Sequence, residues 1–292
     1  MKLIKSATTI TAPSDNGDDW FLAGTLFESA QHNAGPAILL SGAAAIPRGF
    51  YAAFAQHLVE RGARAVLIYD YRGMGDSASP RFRWSELAMK DWALLDFPAA
   101  AKYLRDRFPD NELVGIGHSY GGQALGLSGI SELFTRYATV ATMSGYWRDT
   151  AEPLSIYLKT QIVGNSLAKL MGRIPKWGGL GEEMPGRIFI DWTRWIAQPN
   201  YFFDDTDLPE ISRFRDVTLP FLSVRISDDT WGTKRAVEHF MSHYENADLR
   251  HFSLKTTAEK PIGHFAWFRP RNAEHWPMVV NFALAGKWPD GV

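Results

Sequence analysis

The sequence predicts an α/β fold in which a mostly parallel sheet is covered by helices on both faces. Short apolar runs typical of buried strands recur along the 292-residue chain, and segments with helical spacing separate them. Single strands therefore alternate with helices, which is the pattern of a parallel sheet. At this length the chain can bury one large core. The alternation breaks once, between residues 147 and 215.

The first half of the chain opens with two strands at 3–12 and 20–28, joined by the turn 13–17 as an antiparallel hairpin. The alternation then begins. Apolar runs predict strands at 37–40, 65–69, 112–116 and 138–143. Helical spacing and breakers predict helices at 50–61 and 84–108, and a further helix that ends near Leu127.

The second half contains an insertion before the alternation resumes. An amphipathic helix is marked by Leu154, Tyr157, Leu158 and Ile162, and a breaker-rich loop at 175–186 precedes a second helical piece at 188–196. Strands follow at 220–226 and 249–254, and helices at 232–244 and 272–286. We therefore predict a core of residues 1–146 and 216–292, with a helical cap of residues 147–215.

Composition excludes several kinds of partner and site. Thirty-one basic and 32 acidic residues leave a net charge of −1 without a basic stripe, so nucleic acid and anionic membranes are poor candidate partners. The chain has no cysteine, which excludes disulfides, a thiolate nucleophile and cysteine-ligated metal. No apolar run suits a signal peptide or a membrane span. We expect a cytoplasmic protein.

The most specific motif lies at 112–122, where an apolar run leads into Gly117-His-Ser-Tyr-Gly121 and then a helical pattern. Gly-x-Ser-x-Gly between a strand and a helix is typical of a nucleophile elbow. The strained turn needs small neighbours, which Gly117 and Gly121 supply. The N-terminus of the helix favours negative charge at the same place. The motif therefore predicts that Ser119 is a nucleophile.

A serine hydroxyl needs a base, and the base needs an acid that orients it. Both are expected after later strands, in the order serine, acid, histidine. Strand 220–226 leads to Asp228 and Asp229, and the loop after strand 249–254 carries His264. Spacing does not separate the two aspartates. Asp149, just after strand 138–143, is a third candidate acid.

With these motifs in this order, nearly the whole chain resembles the α/β-hydrolase superfamily. Gly-His-Ser-Tyr-Gly-Gly and Ile-Gly-His-Phe-Ala-Trp-Phe-Arg are similar to stretches of uncharacterised bacterial hydrolases near the serine aminopeptidases and monoglyceride lipases. The resemblance implies an α/β-hydrolase fold with a helical cap. It also implies that Ser119 is the nucleophile, His264 the general base and Asp229 the orienting acid, with Asp228 as the second choice.

An oxyanion hole needs two N–H donors. The resemblance implies that one is the backbone N–H of Tyr120 and that the other comes from the first βα loop. Family members usually read His-Gly-x there, whereas this chain reads Ser-Gly-Ala. We therefore expect Ala43 to donate, with Ala44 next in line. The residues expected in the substrate pocket are Ala44, His118, Trp147, Trp231 and Trp267.

We expect a serine hydrolase that cleaves a carboxylic ester or thioester with an apolar acyl group, without metal or organic cofactor. Acyl transfer, amide or N-terminal peptide cleavage and carbon–carbon hydrolysis use the same triad and remain alternatives. A non-catalytic binding module is a further one. An aminopeptidase would need acids for the substrate ammonium, for which the candidates are Glu182, Glu183, Asp204 and Asp205. The expected partner is a small-molecule ester, and a homodimer stays open.

Two other patterns are expected to be structural. Residues 73–78 resemble a dinucleotide-binding string, but earlier strands precede them and Pro80 follows, so we expect a turn beside the site and no nucleotide. His239 and His243 lie four apart on a predicted helix and have no evident third ligand. We therefore expect no metal there.

Overall fold

The computed structural model describes residues 2–14, 17–79, 84–178 and 181–291. Within them, eight strands form one sheet in the order β1-β2-β4-β3-β5-β6-β9-β10, and β7 and β8 form a separate ribbon. The strands are β1 (Leu3–Ala12), β2 (Trp20–Ser29), β3 (Ala37–Ser41), β4 (Ala65–Tyr69), β5 (Leu113–His118), β6 (Arg136–Val140), β7 (Arg173–Ile174), β8 (Met184–Pro185), β9 (Pro220–Ile226) and β10 (Asp248–Leu254).

The sheet is antiparallel at one edge and parallel in the rest. Strand β1 pairs antiparallel with β2, and β2 pairs antiparallel with β4. The pairs from β4 through β3, β5, β6 and β9 to β10 are parallel. Every residue of β3, β4, β5 and β6 is buried, as expected for strands covered on both faces. The predicted fold class is confirmed. Asp15 and Asn16 of the predicted turn lie outside the described residues.

Helices cover both faces of the sheet. One face packs against Phe54 and Val280, and the other against Leu104, Leu125 and Phe240. The helices are α1 (Ala52–Glu60), α2 (Met89–Asp91), α3 (Phe97–Arg107), α4 (Tyr120–Ser128), α5 (Pro153–Tyr157), α6 (Asn165–Met171), α7 (Gly186–Ile196), α8 (Lys234–Met241) and α9 (Pro277–Ala285). Wider π-helical turns, Trp92–Asp96 and Leu158–Gly164, join α2 to α3 and α5 to α6.

The stretch that resembles a dinucleotide fingerprint is a turn after β4. Its described part contains the short 3₁₀ turn Gly75–Ser77 and no longer helix. The Ser77 hydroxyl donates to the Asp70 carbonyl at 2.8 Å, and the Asp70 carboxylate accepts the Asp76 N–H at 3.2 Å. A carbon at Gly75 Cβ would lie 2.6 Å from Asp70 Oδ2. The glycine therefore serves close packing against Asp70. Pro80 lies outside the described residues.

Residues 147–215, called the insert below, connect β6 to β9 and contain helices α5, α6 and α7. The first helical stretch was predicted from an apolar stripe, but that stripe faces away from the core. Leu154, Leu158 and Ile162 are exposed, whereas the buried side of the same stretch carries the residues Ile156, Thr160, Gly164 and Ala168. Periodicity located the helix and left its orientation open. None of the helices in the described ranges is long and apolar enough to cross a membrane.

Candidate active site

Ser119 stands in a strained turn between β5 and α4. Its backbone has φ 50° and ψ −111°, a conformation that side-chain-bearing residues adopt rarely and mainly at functional sites. The turn brings α4 very close to the sheet. A carbon at Gly117 Cβ would lie 2.4 Å from the Gly122 nitrogen, and one at Gly121 Cβ 2.1 Å from the Ser41 carbonyl oxygen. Glycine is therefore required on both sides of the serine.

A histidine and an aspartate from two later loops meet the serine. His264 Nε2 lies 3.1 Å from Ser119 Oγ, and His264 Nδ1 lies 2.7 Å from Asp229 Oδ2. The other oxygen of Asp229 accepts the Trp231 N–H at 2.9 Å. The Asp229 side chain is completely buried, and that of His264 is nearly so. The three expected side chains thus form one hydrogen-bonded chain at the carboxyl ends of β5, β9 and β10.

The environment of Asp229 favours its charged form. Burial alone would raise the pKa of this carboxyl. The facing His264 ring, and hydrogen bonds from His264, Gly232 and Trp231, outweigh burial and lower the pKa below its usual value. A charged Asp229 stabilises a positive charge on the histidine when the ring takes a proton.

The other two candidate acids have structural partners. Asp228 accepts the N–H groups of Ile262 at 2.8 Å and Gly263 at 3.1 Å, and therefore anchors the loop that carries His264. Asp149 accepts from Arg235 Nε at 2.7 Å and from His239 Nδ1 at 2.9 Å. Neither carboxylate contacts the His264 ring.

The pair His239 and His243 also has ordinary partners. The His239 ring contacts the carboxylate of Asp149, and His243 stacks on Phe203 with ring centroids 3.4 Å apart. Across the described ranges, no three His, Asp or Glu side chains are grouped to hold a metal ion. These two histidines therefore connect α8 to the insert.

A second buried chain of hydrogen bonds runs beneath the serine. The Ala43 N–H donates to the Tyr51 hydroxyl at 2.8 Å, and that hydroxyl lies 2.8 Å from His118 Nδ1. His118 Nε2 lies 2.9 Å from the backbone carbonyl of His264. Because a carbonyl only accepts, Nε2 carries the proton and Nδ1 accepts from Tyr51. We call this chain the Tyr51–His118 relay. It connects the loop after β3 to the His264 loop.

The imidazole of His118 is kept neutral. Complete burial and the neighbouring His264 ring lower the pKa of His118 to about 3. The assigned tautomer therefore persists throughout the neutral range. His118 was expected in the substrate pocket, but the ring is completely buried and packs against Phe268 at 4.9 Å. It acts under the site and does not line it.

The two N–H groups expected to form the oxyanion hole differ in whether they already have an acceptor. Tyr120 begins α4, so its N–H has no acceptor within the helix. The Ala43 N–H is directed at Tyr51 and is not available, in contrast to the expectation. The N–H of Ala44 has no hydrogen-bond acceptor among the described residues, and Ala44 lines the same cavity as Ser119 and Tyr120. Ala44 is therefore the better-placed second donor.

A cavity of about 540 Å³ opens over the serine. The core contributes Ser119, Tyr120 and His264, and the insert contributes Met184 and Trp192 among other residues. Most of the lining is apolar, with Lys176, Glu182 and Arg269 as its charged members. Volumes of about 300–1,000 Å³ are usual for small-molecule sites. The cavity therefore suits an apolar small molecule.

Two of the five residues expected in the pocket line this cavity, namely Ala44 and Trp231. Trp267 is completely buried and packs edge-on against Phe54, with ring centroids 5.2 Å apart. Trp147 packs against Tyr157 at 4.9 Å, away from the cavity lining. Nearness in sequence to His264 misled the assignment of Trp267, because neighbouring residues of this loop face different sides.

Comparison with known proteins identifies the family. A model of the alpha/beta hydrolase family matches residues 37–281. The chain belongs to this family. Among curated proteins, none matches the sequence.

Solved structures of hydrolases share the fold at low identity. The alpha/beta hydrolase GrgF from Penicillium sp. sh18 is 15% identical, with 98% of this chain and 100% of that chain covered and a TM-score of 0.62. The esterase Pf2001 of Pyrococcus furiosus is 14% identical, with coverages of 95% and 91% and a TM-score of 0.56. The acylaminoacyl peptidase of Pyrococcus horikoshii is 13% identical, with coverages of 100% and 43% and a TM-score of 0.61. These likenesses show the fold alone.

Sequence reasoning missed several cavity residues of this hydrolase. Gln123 lies four residues after Ser119 on α4, and its Nε2 donates to the Met143 carbonyl at 2.9 Å. Tyr201 also lines the cavity, and its hydroxyl lies 3.4 Å from Gln123 Oε1. Helical spacing from the elbow is the signal that points to Gln123. Tyr201 has a positive φ of 57°, and no sequence pattern predicts this conformation.

Proposed function

We propose that this protein is a serine hydrolase that cleaves a carboxylic ester or thioester with an apolar acyl group through an acyl-enzyme on Ser119. One observation carries the proposal. Ser119 Oγ, His264 and Asp229 are joined by contacts of 3.1 and 2.7 Å at the base of a mostly apolar cavity. This is the geometry that nucleophilic acyl transfer requires.

In the first step Ser119 Oγ attacks the carbonyl carbon, while His264 Nε2 takes the hydroxyl proton. The charged Asp229 holds the ring in the required tautomer and stabilises its positive charge. The tetrahedral intermediate then collapses, and the ring gives the proton to the departing alcohol or thiol. Water then attacks the acyl-enzyme while His264 Nε2 takes one of its protons. The second tetrahedral intermediate collapses, the ring returns the proton to Ser119 Oγ, and the carboxylic acid is released.

The negative oxygen of the tetrahedral intermediate needs donors that are already in place. We assign them to the N–H groups of Tyr120 and Ala44. The Tyr51–His118 relay supports this assignment, because it fixes the Ala43 peptide from below and leaves the Ala44 N–H without a protein acceptor. The relay also holds the carbonyl of His264. It therefore positions the oxyanion loop and the base together.

We assign the insert the role of a cap that selects the acyl group. Trp192 of the insert stacks on Trp231 of the core, with ring centroids 5.5 Å apart, and both line the cavity. Apolar walls favour a hydrocarbon chain over a charged one because burial removes apolar surface from water. The acyl chain would lie against this pair.

An aminopeptidase activity is less well supported, because each candidate acid already has a partner. Glu182 lines the cavity but lies 2.7 Å from Lys176 Nζ. Glu183 pairs with Arg173, Asp205 with Arg194, and Asp204 accepts from Asn200. A substrate ammonium would have to displace one of these contacts. We therefore propose esters as substrates in preference to amides and peptides.

The test is turnover of p-nitrophenyl esters from acetyl to dodecanoyl, with Ser119→Ala beside the wild type. Ser166→Ala, at an exposed serine of the insert, is the matched control. We expect hydrolysis in the wild type and the control and none above background in Ser119→Ala. Turnover that persists in Ser119→Ala would remove the proposal. No turnover of any ester, with intact fluorophosphonate labelling, would move acyl transfer or amide cleavage ahead of ester hydrolysis.

A further inference from the structure

One surface of the insert is far more apolar than the rest of the molecule. Among the described residues, ten large hydrophobic side chains are exposed, and seven of them lie between residues 154 and 177. Leu170 is 85% exposed and Trp177 is 71% exposed. We call this surface the apolar ridge, and it consists of Leu154, Leu158, Ile162, Val163, Leu170, Met171 and Trp177.

The helical stretch under the ridge is oriented opposite to an ordinary surface helix. Such a helix buries its large apolar residues and exposes polar ones. Here the buried side carries one large residue, Ile156, and the smaller Thr160, Gly164 and Ala168. A carbon at Gly164 Cβ would lie 2.3 Å from the Phe189 ring. The small residues permit close packing on α7, so the large ones are left outside. Folding of a single chain does not account for so many large apolar side chains exposed on one segment.

The charged residues of the segment that carries the ridge are all basic. Residues 153–181 contain four basic side chains, Lys159, Lys169, Arg173 and Lys176, and no aspartate or glutamate. Glu183 and Glu182 pair with Arg173 and Lys176. Lys159 and Lys169 are exposed, and neither forms an ion pair with another described residue. A net charge of −1 for the whole chain thus conceals a basic, apolar surface.

One ridge residue is next in sequence to a residue that lines the cavity. Trp177 follows Lys176, which lines the cavity over Ser119. In a later loop, Phe265, the residue after His264, is 39% exposed and also lines the cavity. A partner that contacts Trp177 would therefore lie close to a residue that lines the cavity.

From these observations we infer that the apolar ridge docks on a lipid surface that carries anionic headgroups. Apolar side chains flanked by lysine are what binds a helix in the plane of such an interface, and the lysines interact with the headgroups. A second copy of the chain fits less well. In a twofold contact the same patch faces itself, so Lys159 and Lys169 would meet like charges without acidic partners.

The docking goes beyond hydrolysis and does not require it. Its consequence for the proposed enzyme is that esters dispersed in a lipid layer would reach the cavity without crossing water. The expected substrates then include amphiphilic esters whose acyl chain leaves the layer to enter the cavity.

The experiment is vesicle flotation with the Ser119→Ala protein, so that turnover does not change the lipid. Vesicles of phosphatidylcholine alone are compared with vesicles of phosphatidylcholine and phosphatidylserine. The ridge variant is Leu158→Gln with Ile162→Gln. Its matched control is Phe21→Gln on β2, which is exposed to the same extent as Ile162, 53%. The charge variant is Lys159→Gln with Lys169→Gln, and its control is Lys102→Gln on α3.

We expect Ser119→Ala protein to float with the anionic vesicles and the ridge variant to lose about tenfold or more of its partition coefficient. The charge variant should lose the preference for anionic vesicles and the sensitivity to added salt, since screening acts on the lysine–headgroup attraction. Both controls should behave like Ser119→Ala alone. Ridge variants in the wild-type background should still cleave p-nitrophenyl acetate, which separates failure of docking from failure of the hydrolase.

The inference would be overturned by a failure of the flotation experiment or by evidence of a dimer. The first result is that the protein floats with neither kind of vesicle, or that Phe21→Gln removes flotation as strongly as the ridge variant. The second is that sedimentation equilibrium finds a dimer that Leu158→Gln with Ile162→Gln converts to a monomer, because the ridge would then be an interface between copies of this chain.

Discussion

The core and the insert contribute to the cavity in different ways. The core supplies Ser119, His264 and Asp229, and hydrogen bonds hold each of them to another loop at the carboxyl edge of the sheet. The insert supplies apolar walls such as Met184 and Trp192. None of its described residues forms a hydrogen bond with the three core side chains. On the proposed assignment, the reacting side chains all come from the core, and the insert contributes part of the apolar wall.

This division predicts that changes in the core alter turnover of every ester, whereas changes in the insert alter which ester is preferred.

Replacing Asp229 by asparagine should reduce kcat by about 10⁴-fold, because the amide no longer fixes the tautomer of His264 or stabilises its charge. Asp228→Asn is the matched variant one residue away. It should lose about tenfold or less, since one oxygen remains to accept the loop N–H groups. Steady-state kinetics on acetyl and octanoyl esters measures both. If Asp228→Asn reduced kcat more than Asp229→Asn, Asp228 would be the orienting acid.

Removing the hydroxyl of Tyr51 with Tyr51→Phe should reduce kcat by about 10–100-fold and change KM little, because the oxyanion loop and the His264 loop both lose a fixed contact. The loss should be equal for short and long esters. Tyr103→Phe, which removes a half-buried hydroxyl that contacts Thr8, is the control and should behave like the wild type. A change in KM alone would make the Tyr51–His118 relay a purely structural feature.

Opening the wall of the insert with Trp192→Ala should move the preferred ester toward longer acyl chains. The ratio of kcat/KM for dodecanoyl over butanoyl should rise by about tenfold, in line with the discrimination that a few methylenes provide in an apolar pocket. Trp147→Ala is the control, since Trp147 packs on Tyr157 outside the cavity lining. If kcat/KM fell equally for all acyl chain lengths, Trp192 would have no role in selecting the acyl chain.

The smallest effect concerns stability in acid. The folded pKa of His118 is about 3, against an ordinary value of 6.5. Between these values the unfolded chain binds a proton that the folded chain does not. Stability therefore falls as the pH is lowered through this window, by about 1.4 kcal/mol per pH unit for this group.

Urea unfolding between pH 7 and pH 5 measures this slope. The His118→Gln variant is less stable at pH 7, but its dependence on pH should be shallower than that of the wild type. His32→Gln, at an exposed histidine, is the control and should keep the wild-type slope. Identical slopes for wild type and His118→Gln would mean that His118 is not the neutral buried group described above.

The sequence predicted what the backbone itself demands. The elbow is readable because the strained turn requires glycine at 117, next to Gly122, and the close approach of α4 to Ser41 requires glycine at 121. The alternation of strands and helices is readable because parallel strands must be buried on both faces. Both features leave a short, recurrent pattern of residues in the sequence, and both appear in the structure.

Features that depend on distant partners were not readable. Asp228 and Asp229 are adjacent, and only the path of the His264 loop gives one the ring and the other the loop amides. Ala43 lost its expected role because the hydroxyl of Tyr51, eight residues later, takes its N–H. The stripe through Leu158 predicted a helix, but periodicity does not say which face meets the core.

The central claim is that Ser119 is a nucleophile activated by His264. Its most direct test is labelling with a fluorophosphonate, followed by peptide mass spectrometry to locate the adduct. We expect one adduct, on Ser119, in the wild type, and none in Ser119→Ala or His264→Ala. An adduct on another residue, or a folded wild-type protein that takes no label, would contradict the claim.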